Sequence, residues 1–272
     1  MDKDRKISIS VCNIVKNEEK QIGGFLSSLV NFADEIIIVD TGSTDNTLKI
    51  INSFMASHGN IKLYEYKLPG VFHYGKAKNY SISKATKDYI IILDTDERLS
   101  EDFKSKIRDY LLEHDNKVFR IKRVDESVTH LIDNPERILK NNCGILYCEQ
   151  EKNRVHENLN YTGEEVEIFE EIVWHQQRWQ HYIYRPQRIF PQLELQIERT
   201  PKTKSFFRHL IRGIWYFNYR FKKLYFKRKL YKDGKAGFKY AFIRAFDAFL
   251  IQFFVGLKPQ DGQKYWKDES EK

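Results

Sequence analysis

Four short apolar runs recur through the first hundred residues: Ile7–Val15, Glu35–Val39, Ile61–Tyr66 and Asp88–Leu93. Helical patterns lie between them. After the first run, Ile22, Phe25, Leu26 and Leu29 recur at steps of three and four, which places them on one helix face. After the second, Leu48, Ile51 and Met55 form another stripe, with Thr44 placed to cap that helix. Pro69-Gly70 breaks the chain after the third run, and 75–85 reads as a third helix. Strands that alternate with helices predict a parallel sheet with right-handed crossovers, because parallel neighbours need a long return connection.

The fourth run ends in two carboxylates, Asp94 and Asp96. A buried strand holds its C-terminal end rigidly, and open α/β sheets bind ligands just outside those ends. Carboxylates there suit a hard divalent cation, Mg2+ or Mn2+, which takes oxygen ligands and bridges to phosphates. The bland alternative is a solvated acidic turn after a core strand.

Past residue 100 the pattern changes. Ser100 is placed to cap a helix through Leu112, and strand candidates follow at Val118–Arg123, Ile138–Leu139, Gly144–Tyr147 and Glu167–Trp174. Residues 201–235 then carry twelve Lys and Arg against one acid, Asp233. The net charge of +8 therefore belongs to this segment, and the remainder of the chain is slightly acidic. Phe207, Leu210, Ile214, Phe217, Phe221 and Leu224 predict one apolar helical stripe, and a second helix is expected from about Lys235 to Val255.

Ten aromatics interleave with those cations, a composition that fits an interfacial segment on an anionic membrane surface. The cations do not all fall on one helical face. A nucleic-acid patch and a helical pair with a solvated basic side are the other readings; no nucleic acid is expected as partner. The longest apolar run, Ala248–Leu257, reads as too short to span a bilayer. Cys12, Cys143 and Cys148 form no Cys-x-x-Cys pair and read as reduced thiols of a cytoplasmic protein. The charged N-terminus reads as carrying no signal peptide.

Four features stand in order: a strand followed by Lys16-Asn17-Glu18-Glu19, a strand followed by Asp40-Thr41-Gly42-Ser43-Thr44-Asp45, Ala77-Lys78-Asn79, and a strand ending in Asp94-Thr95-Asp96. Together they resemble the nucleotide-sugar domain of family 2 glycosyltransferases of GT-A fold, and are similar to bacterial lipopolysaccharide-core β-glucosyltransferases. The likeness covers 7–100 and continues more loosely through Arg154-Val155-His156-Glu157 and Val173-Trp174-His175. It implies an α/β GT-A domain over 1–200, with a nucleotide-sugar half (1–100) and an acceptor half (101–200). Residues 201–272 become a basic, helical, membrane-associating extension.

The resemblance also implies roles. Asp40 would accept a hydrogen bond from uracil, with a turn-initiating Asp as the alternative. Asn17 and Glu18 would meet ribose or base, or simply start a helix. Lys78 stands where many relatives carry Arg; it would face the diphosphate as a point charge, or be a solvated helix lysine. Asp96 would be the main metal ligand, with Asp94 on ribose or a metal-bound water and Glu97 behind them or exposed. His175 would be a further metal ligand, and Arg137 a phosphate contact. Glu157, in Val-His-Glu, would be the general base that takes the acceptor hydroxyl proton.

The activity implied is inverting, metal-dependent transfer from a UDP-sugar to a bacterial surface glycan or glycolipid. The protein would be cytoplasmic, peripheral on the inner face of the cell membrane. A sugar-phosphate nucleotidyltransferase would want a Gly-rich loop where Lys16-Asn17-Glu18-Glu19 stands. A peptide glycosyltransferase and a catalytically inactive membrane-binding scaffold stay open.

Overall fold

The computed structural model describes residues 6–67, 73–114, 116–150, 158–161, 167–175, 197, 200 and 205–258. The chain divides into two compact units, Met1–Val124 with Ile132–Gln176, and Asp125–Leu131 with Gln177–Lys272.

In the first unit, β1 (Ile9–Val15), β2 (Glu35–Asp40), β3 (Ile61–Glu65) and β4 (Tyr89–Ile92) alternate with α1 (Ile22–Leu29), α2 (Thr47–Met55) and α3 (Tyr74–Ile82). These four strands pair in parallel, as their alternation with helices predicts. Then come β5 (Glu97–Leu99), α4 (Glu101–Glu113), β6 (Val118–Asp125), β7 (Ile132–Asp133), β8 (Glu136–Lys140) and β9 (Glu167–His175). Among the described residues nine strands form one sheet in the order β3-β2-β1-β4-β8-β6-β9-β5, with β7 on β6. The second half of that order is built from antiparallel pairs: β8 on β4, β6 on β8 and β5 on β9.

The central strands explain their own composition. β2 and β4 are buried at every position, and β1 at all but Ile14. Strands covered on both faces read as continuous apolar runs rather than alternating ones. α1 covers them with Ile22, Phe25, Leu26 and Leu29, all at most 1% exposed. One charge is enclosed beside them. The Glu35 carboxylate, 2% exposed, accepts from Lys62 Nζ at 2.7 Å, Ser10 Oγ at 2.6 Å, Thr86 N–H at 2.8 Å and the Thr86 hydroxyl at 3.0 Å. Burial pushes its pKa up, and these donors override burial to bring it down to about 2.

Local capping follows the sequence at α4, where Ser100 Oγ accepts the Phe103 N–H at 3.1 Å. It does not at α2. Thr44 gives its N–H to Asn17 Oδ1 instead, and Asp45 accepts the Thr47 N–H at 3.0 Å. Gly144–Tyr147 is not a strand; only an isolated bridge joins Tyr147 to Leu159. β5 and β7 are additions. Their three and two residues are too few to show a period, and their partners lie elsewhere in the chain.

The second unit holds α5 (Phe206–Lys222), a π turn (Lys223–Lys227), a 3-10 turn (Leu230–Asp233) and α6 (Gly234–Leu257). Asp233 accepts from the Thr129 hydroxyl at 2.8 Å and the His130 N–H at 3.2 Å, which ties in the 125–131 segment. Gly237 allows α6 to start against the preceding turn; a Cβ there would fall 1.9 Å from the Leu230 carbonyl oxygen. The expected stripe lies on α5, which packs through His209 and Gly213 and leaves Phe207 73% and Ile214 51% exposed. One expectation changes. Leu230–Leu257 is one helical stretch of 28 residues, long and apolar enough by length and composition to cross a membrane. The apolar run looked short because Arg244 and Asp247 interrupt it, and they pair at 3.2 Å.

Candidate active site

β4 delivers Asp94-Thr95-Asp96 to the C-terminal edge of the parallel strands. Its end is fastened to β1: Leu93 N–H bonds the Cys12 carbonyl at 3.1 Å, and Asn13 Nδ2 donates to the Leu93 carbonyl at 2.6 Å. The acidic turn is then closed on itself. Glu97 N–H donates to the Asp94 carbonyl and Asp94 N–H to Glu97 Oε2, each at 2.9 Å.

Glu97 is fully buried, which sets aside its reading as an exposed acid. Its Oε1 accepts from Arg123 Nη1 and Arg137 Nη2, each at 2.8 Å. Arg137 Nη2 also reaches Asp94 Oδ2 at 2.6 Å, and Lys78 Nζ lies 3.7 Å from Asp94 Oδ1. Arg123 completes the set by forking onto Asp133, Nε to Oδ1 at 2.9 Å and Nη2 to Oδ2 at 2.6 Å. Burial pushes the Asp94 carboxyl up, but the Arg137 and Lys78 charges hold it far below the usual carboxylate range. Burial would lower Arg137, and Asp94 and Glu97 keep it well above its ordinary value. Arg137 is 5% exposed, and its Nε has no hydrogen-bond partner.

Lys78 is 4% exposed, so it is not a solvated helix lysine. α3 aims it at Asp94 and over the Tyr147 ring, 5.3 Å from the centroid. Its neighbour Asn79 holds that ring's backbone. Oδ1 accepts the Tyr147 N–H at 2.8 Å and Nδ2 donates to the Tyr147 carbonyl at 3.0 Å.

Asp96 points elsewhere. The register of β5 on β9 sets Glu97 opposite His175, and His175 Nε2 comes within 3.3 Å of Asp96 Oδ2. Burial lowers the His175 pKa, and the hydrogen bond and charge of Asp96 outweigh it, leaving the imidazole above 6.5. Asp96 stays 38% exposed at the side chain. This donor set, one carboxylate oxygen and one imidazole nitrogen on an open edge, fits Mn2+ or Mg2+, which complete their shells with water and phosphate oxygens. Among the described residues no group of three His, Cys, Asp or Glu gathers to hold a metal.

Asn17, Glu18 and Asp40 form a second cluster, at the ends of β1 and β2. Asn17 takes a left-handed conformation, φ 57°, that Asn tolerates better than most residues. Its N–H donates to Ser43 Oγ at 2.9 Å, and its Oδ1 accepts the Thr44 N–H at 2.7 Å. Glu18 N–H donates to Thr47 Oγ1 at 2.8 Å, and its carbonyl starts α1. Asp40, 3% exposed, accepts the Gly42 N–H at 2.9 Å and the Ser43 N–H at 3.1 Å. Gly42, at φ 105°, suits that turn as other residues would not. Thus the Asp40 carboxylate shapes its own loop. Glu157, His156 and Arg154 lie outside the described residues.

A parallel sheet with acidic and basic side chains at its C-terminal edge narrows the class without deciding it. A family model described as glycosyl transferase family 2 matches residues 10–252. The chain belongs to that family. An uncharacterized glycosyltransferase of Rickettsia conorii is 24% identical over 92% of this chain and 90% of its own. The lipopolysaccharide core biosynthesis glycosyltransferase LpsC of Rhizobium meliloti is 29% identical over 40% of this chain and 39% of its own. Crystal structures of S. aureus TarS 1–349, alone and in complex with UDP, each reach a TM-score of 0.50 at 16% identity, covering 96% of this chain and 94% of that one. The fold is the GT-A α/β architecture expected.

In this family 2 glycosyltransferase, the motif residues fall into two clusters: Lys78, Asp94, Asp96, Arg137 and His175 around the β4 edge, and Asn17, Glu18 and Asp40 beyond β1 and β2. Sequence reasoning missed Arg123, Asp133 and Asn13, and left Glu97 open. Only the Glu beside Asp-x-Asp gave a signal; the arginines that bury it lie 26 and 40 residues on.

Proposed function

We propose that this chain is an inverting, metal-dependent hexosyltransferase. It moves a sugar from a UDP-sugar onto a bacterial surface-glycan acceptor, lipid-linked or of lipopolysaccharide-core or capsule type. The observation that carries the reading is the Asp96–His175 pair at the edge of β4, beside an acidic turn locked by buried cations. The UDP complex of TarS, a protein of like fold, supports a uridine nucleotide, and the partial match to LpsC supports the acceptor class.

Asp96 and His175 would hold Mn2+ or Mg2+, which when bound offsets the negative charge growing on the departing diphosphate. Lys78 and Arg137 fix Asp94, so that the side chain meets the ribose without reorganising. Asp40 and Asn17, on loops knitted to each other, present the base-contacting edge. Glu157 takes the proton of the acceptor hydroxyl as that oxygen attacks the anomeric carbon from the face opposite the leaving UDP. The protein works on the cytoplasmic side, docked peripherally on the inner leaflet through residues 201–272, with 1–200 as the catalytic domain.

The test is a donor screen. Purified protein with Mn2+ and a panel of nucleotide sugars should release UDP slowly from one UDP-sugar, and the Asp96→Asn protein should not. Release of another nucleoside diphosphate, or UDP release undiminished in Asp96→Asn, would overturn the donor or the metal assignment respectively.

A further inference from the structure

α5 and α6 form an antiparallel hairpin. Phe206 meets Phe253, Phe217 meets Phe242 and Phe221 meets Phe238, so rising numbers on one helix face falling numbers on the other. Small residues bring the helices close: a Cβ on Gly213 would lie 3.1 Å from the Phe249 ring, and one on Gly256 3.0 Å from His209. His209 and Gln252 are buried between them, 3.0 Å apart.

Among the described residues, one face of this pair is apolar and uncovered. On α6, Phe238, Phe242, Phe246, Phe249 and Phe253 follow at steps of three and four, with successive ring centroids 5.9–6.2 Å apart. The first three are 45%, 44% and 43% exposed. Phe217 and Phe221 lean on that row from α5 at 5.5 and 5.7 Å, and the face continues onto Ile214 and Phe207. Trp215 and Tyr219 stack at its margin, 57% and 52% exposed. Single exposed apolar residues need no explanation, but a contiguous two-helix face does.

Charge says what covers it. Arg208 and Arg212 are exposed beside the α5 margin, and Lys223, Lys227, Arg228, Lys229 and Lys232 are exposed along the turns that join the helices. Aromatic rings at the headgroup boundary with cations on phosphates describe an anionic lipid leaflet.

The same packing decides the orientation. α6 alone could cross a bilayer by length. It cannot leave α5, which lies along it and carries Arg208, Arg212, Arg220 and Lys222. Crossing would take these into hydrocarbon, where a charged side chain is costly to bury. Lying flat keeps them in the headgroups.

We propose that the α5–α6 hairpin lies in the plane of an anionic phospholipid leaflet, with its Phe238–Phe253 row at the acyl boundary and its cations on lipid phosphates. This rests on the peripheral docking proposed above and adds its face and its orientation.

The test uses the full chain with vesicles of phosphatidylcholine, with and without phosphatidylglycerol. Wild-type protein should co-sediment with the anionic vesicles. Ile214→Ser/Phe246→Ser, which removes exposed side chains outside the ring contacts between the helices, should bind at least about tenfold more weakly with an unchanged circular dichroism spectrum. Nitroxide labels at 238, 242 and 246 should report one common depth; a crossing helix would step by about 6 Å between them. Stepped depths, or undiminished binding by the double variant, would overturn the face or the orientation while peripheral docking stands. Failure of wild-type protein to bind would sink the docking itself. A lipid-free dimer abolished by the double variant would assign the face to a second copy of this chain and overturn the proposal.

Discussion

α1 and α5 carry the same kind of apolar stripe and meet opposite fates. On α1, Ile22, Phe25, Leu26 and Leu29 vanish beneath the sheet. On α5, Phe207 and Ile214 face outward while His209 and Gly213 go inside. Helical periodicity states that a stripe exists; it does not state what covers it. In the first unit the cover is a sheet whose strands are apolar on both faces. In the second, Gly213 and Gly256 draw two helices together and leave the large rings over.

The largest test of that contrast is a pair of truncations. Phe25→Ala, at a fully buried ring, should cost about 3–5 kcal/mol in urea unfolding. Phe207→Ala in the lipid-free protein should shift stability by less than about 0.5 kcal/mol. Equal effects would mean that the α5 face is covered after all.

Next is Glu97→Gln. Removing the charge that Arg123 and Arg137 share should cost about 3–5 kcal/mol, because Arg137 stays buried, and Arg123 half-buried, with less to balance them. A cost under about 1 kcal/mol would show the network to be incidental.

A smaller effect follows pH. Glu35 falls from 4.5 to about 2 on folding, so its contribution is complete above pH 4.5 and is lost as pH drops toward 2. Over that window the wild type should lose on the order of 3 kcal/mol more stability than Glu35→Gln. Parallel acid-stability curves would contradict it.

The parallel half was readable because its signals are local. Runs buried on both faces announce strands, and the α1 stripe and the Ser100 cap need no distant partner. What the sequence hid was made at long range. β5 is three residues that exist through pairing with β9, more than seventy positions on. Thr44 sits in a turn tied to Asn17 of another loop, and α2 starts three residues on at Thr47, so Asp45 and not Thr44 accepts the Thr47 N–H. The site divides the same way. Asp94 and Asp96 stood out at a strand end, whereas the burial of Glu97 and the bracing of Asp94 depend on Arg123, an ordinary surface residue by sequence, and on Arg137, expected at a phosphate.

The central claim is that Asp96 and His175 form a cation site that grips a nucleoside diphosphate. Calorimetric titration of UDP into the protein, with and without Mn2+, tests it most directly. The account predicts at least about tenfold tighter UDP binding when Mn2+ is present, and loss of that gain in Asp96→Asn with folding unchanged. UDP affinity that ignores Mn2+ in the wild type, or a gain that survives in Asp96→Asn, would contradict it.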